Sequence, residues 1–242
     1  MIALLTDFHT SDGIGQAKGV MKTIHPATEI MDFSNFVEPF KVRSGAWILL
    51  TGYNYFPKGT VFYCVVDPGV GSKRKAIAIQ TRNYFFVGPD NGLMYPAASE
   101  DGIVEAVELP VHETASKTFH GRDVFSPAAA KLDKGDIIGT LGKKLAQLKQ
   151  LDLGSSNGSG EVVLIEHYGN VVTNIPPTGK ESYDASCGNF KKNLKFHATY
   201  EEASDGELFA IKGSRNTLEI SVKTGSAASA IKCSVGDAIT IR

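Results

Sequence analysis

Val61-Phe62-Tyr63-Cys64-Val65-Val66-Asp67-Pro68-Gly69-Val70-Gly71-Ser72-Lys73-Arg74 is the stretch from which the architecture can be read. The apolar run from Gly59 to Val66 is rich in β-branched and aromatic residues and shows no polar alternation. It predicts a strand buried on both faces. Pro68 and Gly69 turn the chain immediately afterwards, so the Asp67 carboxylate stands at the strand's exit. In open α/β sheets that edge is where ligands bind.

Outward from this strand, the first half of the chain alternates strands and helices. Ile2 to Leu5 reads as a short buried strand, and Glu29 to Phe33 as a second. Between them Ile14 to Ile24 has helical character, ended by Pro26. Val42, Ala46, Leu49, Leu50 and Tyr53 recur at helical spacing and predict a helix over Lys41 to Tyr55. Ala76 to Thr81 and Tyr84 to Val87 read as a hairpin. Ser126 to Leu132 starts another helix, with Ser126 as its N-cap and Pro127 at its first position. Gly139 to Leu148 is expected to form a last short helix. The pattern predicts an α/β N-terminal domain over 1–150, a mainly parallel sheet flanked by helices.

Composition then changes. Residues 151–160 contain the run LGSSNGSG and read as a Gly/Ser linker. Beyond it, short strand-like runs at 161–167, 194–200, 208–212, 217–222 and 238–241 are separated by polar or Gly-rich turns. They predict an all-β barrel domain over 161–242.

Composition also narrows the function. The net charge is −1, and the longest basic cluster is Ser72-Lys73-Arg74-Lys75, so no nucleic-acid surface is indicated. No apolar run has membrane-spanning length. The opening MIALLTDF meets an acid at its seventh residue without a basic leader, unlike a signal peptide. The 3 cysteines, Cys64, Cys187 and Cys233, form no CxxC pair. Free thiols without an export signal point to a reducing cytoplasm. A P-loop and an HExxH zinc motif are both missing, so no metal is expected. Gly13-Ile14-Gly15-Gln16-Ala17-Lys18-Gly19 approximates a dinucleotide fingerprint, but its third glycine falls one position late.

Chemistry-bearing residues gather in a few turns. Asp67 and Arg74 share one glycine-marked turn, and His120 lies in another, Thr118-Phe119-His120-Gly121-Arg122-Asp123. A carboxylate, a guanidinium and an imidazole can hold and deprotonate one water molecule. The glycine and charge around His120 favour an exposed functional loop; Arg122 and Asp123 either join it or pair with each other. Asp7 and Asp12 either cap turns or accept hydrogen bonds from a ribose diol. Asp90-Asn91-Gly92 reads as a tight turn. Asn170 and Asn174 either read an adenine edge, offering donor and acceptor together, or belong to a bulged strand. Ser214-Arg215 either grips a carboxylate or is a polar surface. Phe40 and Trp47 are candidate pocket walls or core. Together these features indicate an enzyme.

Six ordered segments carry a family resemblance across nearly the whole chain: TDFHTSD, VVDPGVGSKR, VGPDNGL, TFHGRDVFSPAAA, IEHYGNVVTNI and GSRNTLEISVKTGSAA. The chain resembles the S-adenosyl-L-methionine hydroxide adenosyltransferases, or SAM hydrolases (adenosine-forming), relatives of the fluorinase and chlorinase. The resemblance implies in-line attack of an activated water or hydroxide on C5′ of the substrate, giving adenosine and L-methionine without a cofactor. It implies Asp67, Arg74 and His120 as the catalytic triad, and Asp7, Asp12, Phe40, Gly121, Asn170, Ser214, Arg215 and Glu219 as substrate-binding residues. It also implies a homotrimer with sites at subunit interfaces. Where the family usually has glycine and histidine, this chain has His9 and Asn35. The alternatives are a halide-dependent adenosyltransferase, whose known members lack the triad, a non-catalytic nucleoside-binding protein and a nicotinamide oxidoreductase.

Overall fold

The computed structural model describes residues 1–242 and divides them into two compact units, Met1–Asp152 and Leu153–Arg242. The first unit contains, in chain order, β1 (Ile2–Thr6), α1 (Asp12–Ile24), β2 (Ile30–Ser34), α2 (Val42–Leu50), β3 (Val61–Val65), β4 (Ala76–Thr81), β5 (Phe85–Pro89), α3 (Tyr95–Asp101), β6 (Ile103–Glu108), α4 (Ser126–Lys134) and β7 (Lys143–Lys144). The strands form one sheet in the order β2-β1-β3-β5-β4-β6-β7.

β3 lies at the centre of the parallel half of this sheet, and all five of its residues are buried. Its side chains alternate between two cores, as the period of a strand requires. Val61, Tyr63 and Val65 face a cluster with Ala17 and Met21 of α1 and Ala129 and Leu132 of α4. Phe62, Cys64 and Val66 face the opposite cluster, with Leu49 of α2 and Ala97 and Ala98 of α3. Helices therefore cover both faces, and this is why the β3 sequence carries no polar alternation.

The sheet is mixed rather than mainly parallel. β2-β1, β1-β3 and β3-β5 are parallel, while β5-β4, β4-β6 and β6-β7 are antiparallel. The hairpin of β4 and β5 reverses direction because the connection Arg82-Asn83-Tyr84 leaves no room for a crossover helix. The helix expected at 139–148 does not form; a 3-10 turn at Ile138–Thr140 leads into β7 instead. Gly142 lies so close to the Glu108 carbonyl that a Cβ there would overlap it. The segment thus adds to the sheet edge, where the Leu145 amide donates to the Ala106 carbonyl at 2.8 Å. Nor is Ser126 the N-cap of α4. The chain reaches that helix already coiled, through a π-helical turn at Gly121–Phe125, and the Ser126 hydroxyl donates back to the Gly121 carbonyl at 2.9 Å.

The second unit contains β8 (Ser159–Ile165), β9 (Val171–Thr173), β10 (Ser182–Cys187), β11 (Phe190–His197), β12 (Leu208–Lys212), β13 (Leu218–Val222), the five-residue α5 (Ala227–Ile231) and β14 (Ala238–Ile241). Its strands close into a barrel in the order β10-β11-β12-β13-β9-β8-β14. The unit is thus a barrel with one short helix, not strands alone. Leu218 and Ile220 join the hydrophobic core, while Thr217, Glu219 and Ser221 alternate to the other face and are also buried. The Gly/Ser segment is held in place. Leu153 is buried, the Leu153 and Gly154 carbonyls accept from the Asn174 amide, and Ser156 bridges to Ser159. No helix is long and apolar enough to cross a membrane.

Candidate active site

Because β1, β3 and β5 run parallel, their C-terminal ends share one edge of the sheet, and the segments that follow carry Asp7, Asp67 and Asn91 there. Asn91 closes its own turn and clamps the neighbouring one. Its Nδ2 donates to the Val66 carbonyl at 2.8 Å, and its Oδ1 accepts from the Leu93 amide at 3.1 Å. The backbone that presents Asp67 is therefore tied to the next strand. Gly71 in the same turn has φ +75°, and a Cβ there would strike the Lys117 carbonyl.

This turn folds Arg74 back on Asp67. Arg74 Nε donates to Oδ1 and Oδ2 at 3.0 and 3.1 Å, and Nη2 donates to Oδ2 at 2.5 Å. Both side chains are nearly buried, at 9% and 8% exposure, so the pair is shielded from solvent screening. The guanidinium also lies over the Phe125 ring, 5.3 Å from its centroid, in cation–π geometry. Its Nη1 is buried without a protein hydrogen-bond partner.

The second hydrogen of Arg74 Nη2 reaches His120 Nδ1 at 2.8 Å. Guanidinium is only ever a donor, so Nδ1 accepts, and the neutral ring carries its proton on Nε2. Burial, followed by the adjacent Arg74 charge, holds the His120 pKa below the usual imidazole value. The ring is buried, not in an exposed loop as its glycine and charged neighbours suggested. It stands directly before the π-helical turn, a local geometry often found at functional sites. Arg122 and Asp123 pair with each other at 2.6 Å, and Asp123 also accepts from the Ser116 amide. Gly121 allows the turn to approach Tyr63, Phe119 and Phe8: a Cβ there would lie 2.8 Å from the Tyr63 hydroxyl. That hydroxyl is itself buried, with the Ser126 side chain as its polar neighbour, and sequence reasoning did not single it out.

The other expected residues of this unit stand apart from the triad contacts. Asp7 Oδ2 accepts from the Phe40 amide at 3.1 Å, stabilising Phe40 at φ +68° with its ring exposed. A non-glycine residue in the left-handed region is strained, and such strain tends to collect at binding sites. Asp12 accepts from Gln16 Nε2 at 2.9 Å, and Gln16 in turn accepts from Arg122. Trp47 is buried on α2 with its indole N–H unpartnered.

Asn170, Arg215 and Glu219 belong to the second unit, where Glu166 gathers two of them. Arg215 donates to Glu166 Oε1 at 3.2 Å and Asn170 Nδ2 to Oε2 at 3.3 Å. Asn170 Nδ2 also donates to the Tyr200 hydroxyl at 3.2 Å. Both amide hydrogens are thus committed, so Asn170 offers a ligand its oxygen but no donor. Burial, then the Glu166 charge, pushes the Glu219 carboxyl up to about 7. Ser214 is exposed. Asn174 has a structural role: its oxygen accepts from the Glu161 amide and its nitrogen holds the Leu153 and Gly154 carbonyls. Glu166, Asn170, Tyr168 and Tyr200 line a groove of about 690 Å³ in this unit. Tyr200 was missed because it sits in the polar run Thr199-Tyr200-Glu201-Glu202, which has no motif.

Comparison with known proteins places this geometry in a family. Residues 2–142 match the SAM hydroxide adenosyltransferase N-terminal domain and residues 160–240 the C-terminal domain of the same family. The (R)-S-adenosyl-L-methionine hydrolase of Salinispora arenicola is 33% identical over 99% of this chain and 97% of its own. The fluorinase of Nocardia brasiliensis is 25% identical over 100% of this chain and 96% of its own. The crystal structure of an uncharacterized conserved protein from Thermotoga maritima superposes with a TM-score of 0.91 at 36% identity, covering 100% of this chain and 99% of that one. With both halves matched by the family's domains and a hydrolase 33% identical over nearly the whole length of both chains, the chain belongs to the SAM hydroxide adenosyltransferase family.

Proposed function

We propose that this protein hydrolyses S-adenosyl-L-methionine to adenosine and L-methionine. The supporting observation is the buried Asp67–Arg74–His120 cluster with one unclaimed donor, Arg74 Nη1. A buried N–H without a protein partner takes an oxygen from solvent or ligand. A water oxygen held there lies in the field of a guanidinium that stabilises negative charge as the O–H bond weakens.

The proton inventory divides the roles. Arg74 is donor-only, and His120 Nδ1 is already occupied by Arg74. His120 Nε2–H can therefore orient the water but cannot deprotonate it. Asp67, whose Oδ1 accepts only from Arg74 Nε and keeps a free lone pair, accepts the proton. The water oxygen attacks C5′ as the C5′–S bond breaks, with its electron pair going to sulfur. The sulfonium leaves as a neutral thioether and needs no acid. Asp7, Asp12, Phe40 and Gly121 in the first unit, and Asn170, Ser214, Arg215 and Glu219 in the second, are assigned to substrate binding. The working form is a homotrimer with sites at subunit interfaces, to be tested by light scattering. No cofactor takes part, so activity should survive a chelator.

Chromatography of the products tests this reading, using both sulfonium epimers of the substrate. Adenosine and methionine should appear in equal amounts. Asp67→Ala, Arg74→Ala and His120→Ala should each lose at least about tenfold in rate while still binding substrate. Full activity in the Asp67 and His120 variants would remove the triad assignment. The match to a fluorinase makes halide transfer the second reading; a 5′-halo-nucleoside formed with chloride or fluoride would favour it.

A further inference from the structure

The connection from β11 to β12 contains a built polar clasp outside the triad. These two strands are parallel, yet only residues 198–207 join them. A parallel crossover ordinarily needs about a dozen residues or more, so this one must fold tightly back. His197, the last residue of β11, is 3% exposed and faces two carboxylates of that crossover. Its Nε2 lies 2.9 Å from Glu207 Oε1 and its Nδ1 3.6 Å from Glu202 Oε2. Each carboxylate also closes the loop backbone: Glu202 accepts from the Ala198 amide at 3.0 Å and Glu207 from the Ser204 amide at 2.8 Å. Beneath them Ala203, Phe209 and Ile211 form a small buried cluster, with the His197 ring edge-on to Phe209 at 5.2 Å.

The clasp delivers Tyr200. This residue opens the 3-10 turn Tyr200–Glu202 between the two clasp points, and its ring rests edge-on against the same Phe209 at 5.8 Å. Its hydroxyl accepts from Asn170 Nδ2 and lines the groove of the second unit. If Tyr200 moved, one Asn170 hydrogen would be freed and the amide could rotate. The acceptor face offered to a ligand would then be lost.

We propose that His197 is a positioning residue for ligand recognition: by holding Glu207, with Glu202 packed alongside, it fixes the crossover that sets Tyr200 against Asn170. This rests on the assignment of Asn170 to substrate binding proposed above, with the groove it lines taking the adenosine part. His197 touches no ligand; it acts through Tyr200.

Calorimetric titration with adenosine, together with kcat and KM for the sulfonium substrate, tests the proposal. His197→Leu should weaken adenosine binding and raise KM about fivefold, as expected for one lost hydrogen bond, with kcat nearly unchanged. His197→Gln can still donate to Glu207 and should restore most of the affinity. In a Tyr200→Ala background, His197→Leu should cause no additional loss, because both changes remove the same interaction. If His197→Leu does not fold, Glu207→Ala, which removes the acceptor facing His197, carries the same expectation. A lowered melting temperature with unchanged affinity, or losses that add across the two sites, overturns the proposal. Wild-type protein that takes up no adenosine overturns the nucleoside reading and this inference with it.

Discussion

Arg74 Nη2 donates to His120 Nδ1 across 2.8 Å while the same nitrogen holds Asp67 Oδ2. One planar group thereby settles the tautomer of the histidine and the orientation of the carboxylate. The three side chains behave as a single unit, and their roles follow from which nitrogen carries a hydrogen.

Lysine cannot replace this fork. Its ammonium is a point donor on a flexible stem, and it cannot meet both Asp67 oxygens and His120 in one plane. Arg74→Lys is expected to lose at least about tenfold in kcat with little change in KM. A variant retaining more than half the wild-type rate would show that the fork is dispensable.

The pH profile should carry the signature of His120. A protonated ring would place an N–H on Nδ1, facing the N–H of Arg74, so protonation breaks the contact. The His120 pKa is lowered by burial and by Arg74. The acid limb of kcat is therefore expected below the ordinary imidazole value of 6.5, with a plateau above it. The unfolded chain takes up this proton more readily, so stability also falls as pH drops from that value through the folded one. His120→Gln should flatten the limb. A limb centred above 6.5 contradicts the assignment.

Gly121→Ala should destabilise the fold by about 1–3 kcal/mol, the usual range for overpacking. The added Cβ would meet the Tyr63 hydroxyl at 2.8 Å and the Phe119 and Phe8 rings at 3.1 Å. Since the hydroxyl is the atom nearest to the added Cβ, Tyr63→Phe in the same chain should recover part of the loss. Denaturant midpoints of the two single variants and the double variant provide the check; strictly additive losses would count against it.

Glu219 predicts an opposite trend with pH. Its carboxyl is raised to about 7 from an ordinary 4.5, so the folded chain binds this proton more tightly than the unfolded one. The associated stability is fully present below 4.5 and is lost as pH rises through about 7. Glu219→Gln stays neutral throughout. Relative to wild type it should gain stability between pH 5 and pH 8, by roughly 3 kcal/mol at most. Thermal unfolding of both proteins at the two pH values measures this; a difference independent of pH would show that Glu219 does not titrate there.

The sequence by itself determined the features that depend on local pattern. The unbroken apolar run of β3, the helical spacing at 42–50 and the turn chemistry at Pro68-Gly69 and Asn91-Gly92 each follow from neighbouring residues. Six ordered motifs also carried the family, because motif order survives without any knowledge of contacts. Only the tertiary structure decided the rest. The antiparallel half of the sheet, β7 in place of a helix, the π-helical turn before α4 and the burial of His120 depend on partners far away in sequence. So do the contact of Arg74 with a histidine 46 positions along the chain and the clasp that holds Tyr200. Hydrogen-bond direction is a property of atoms brought together in space, and no one-dimensional spacing encodes which nitrogen will meet which oxygen.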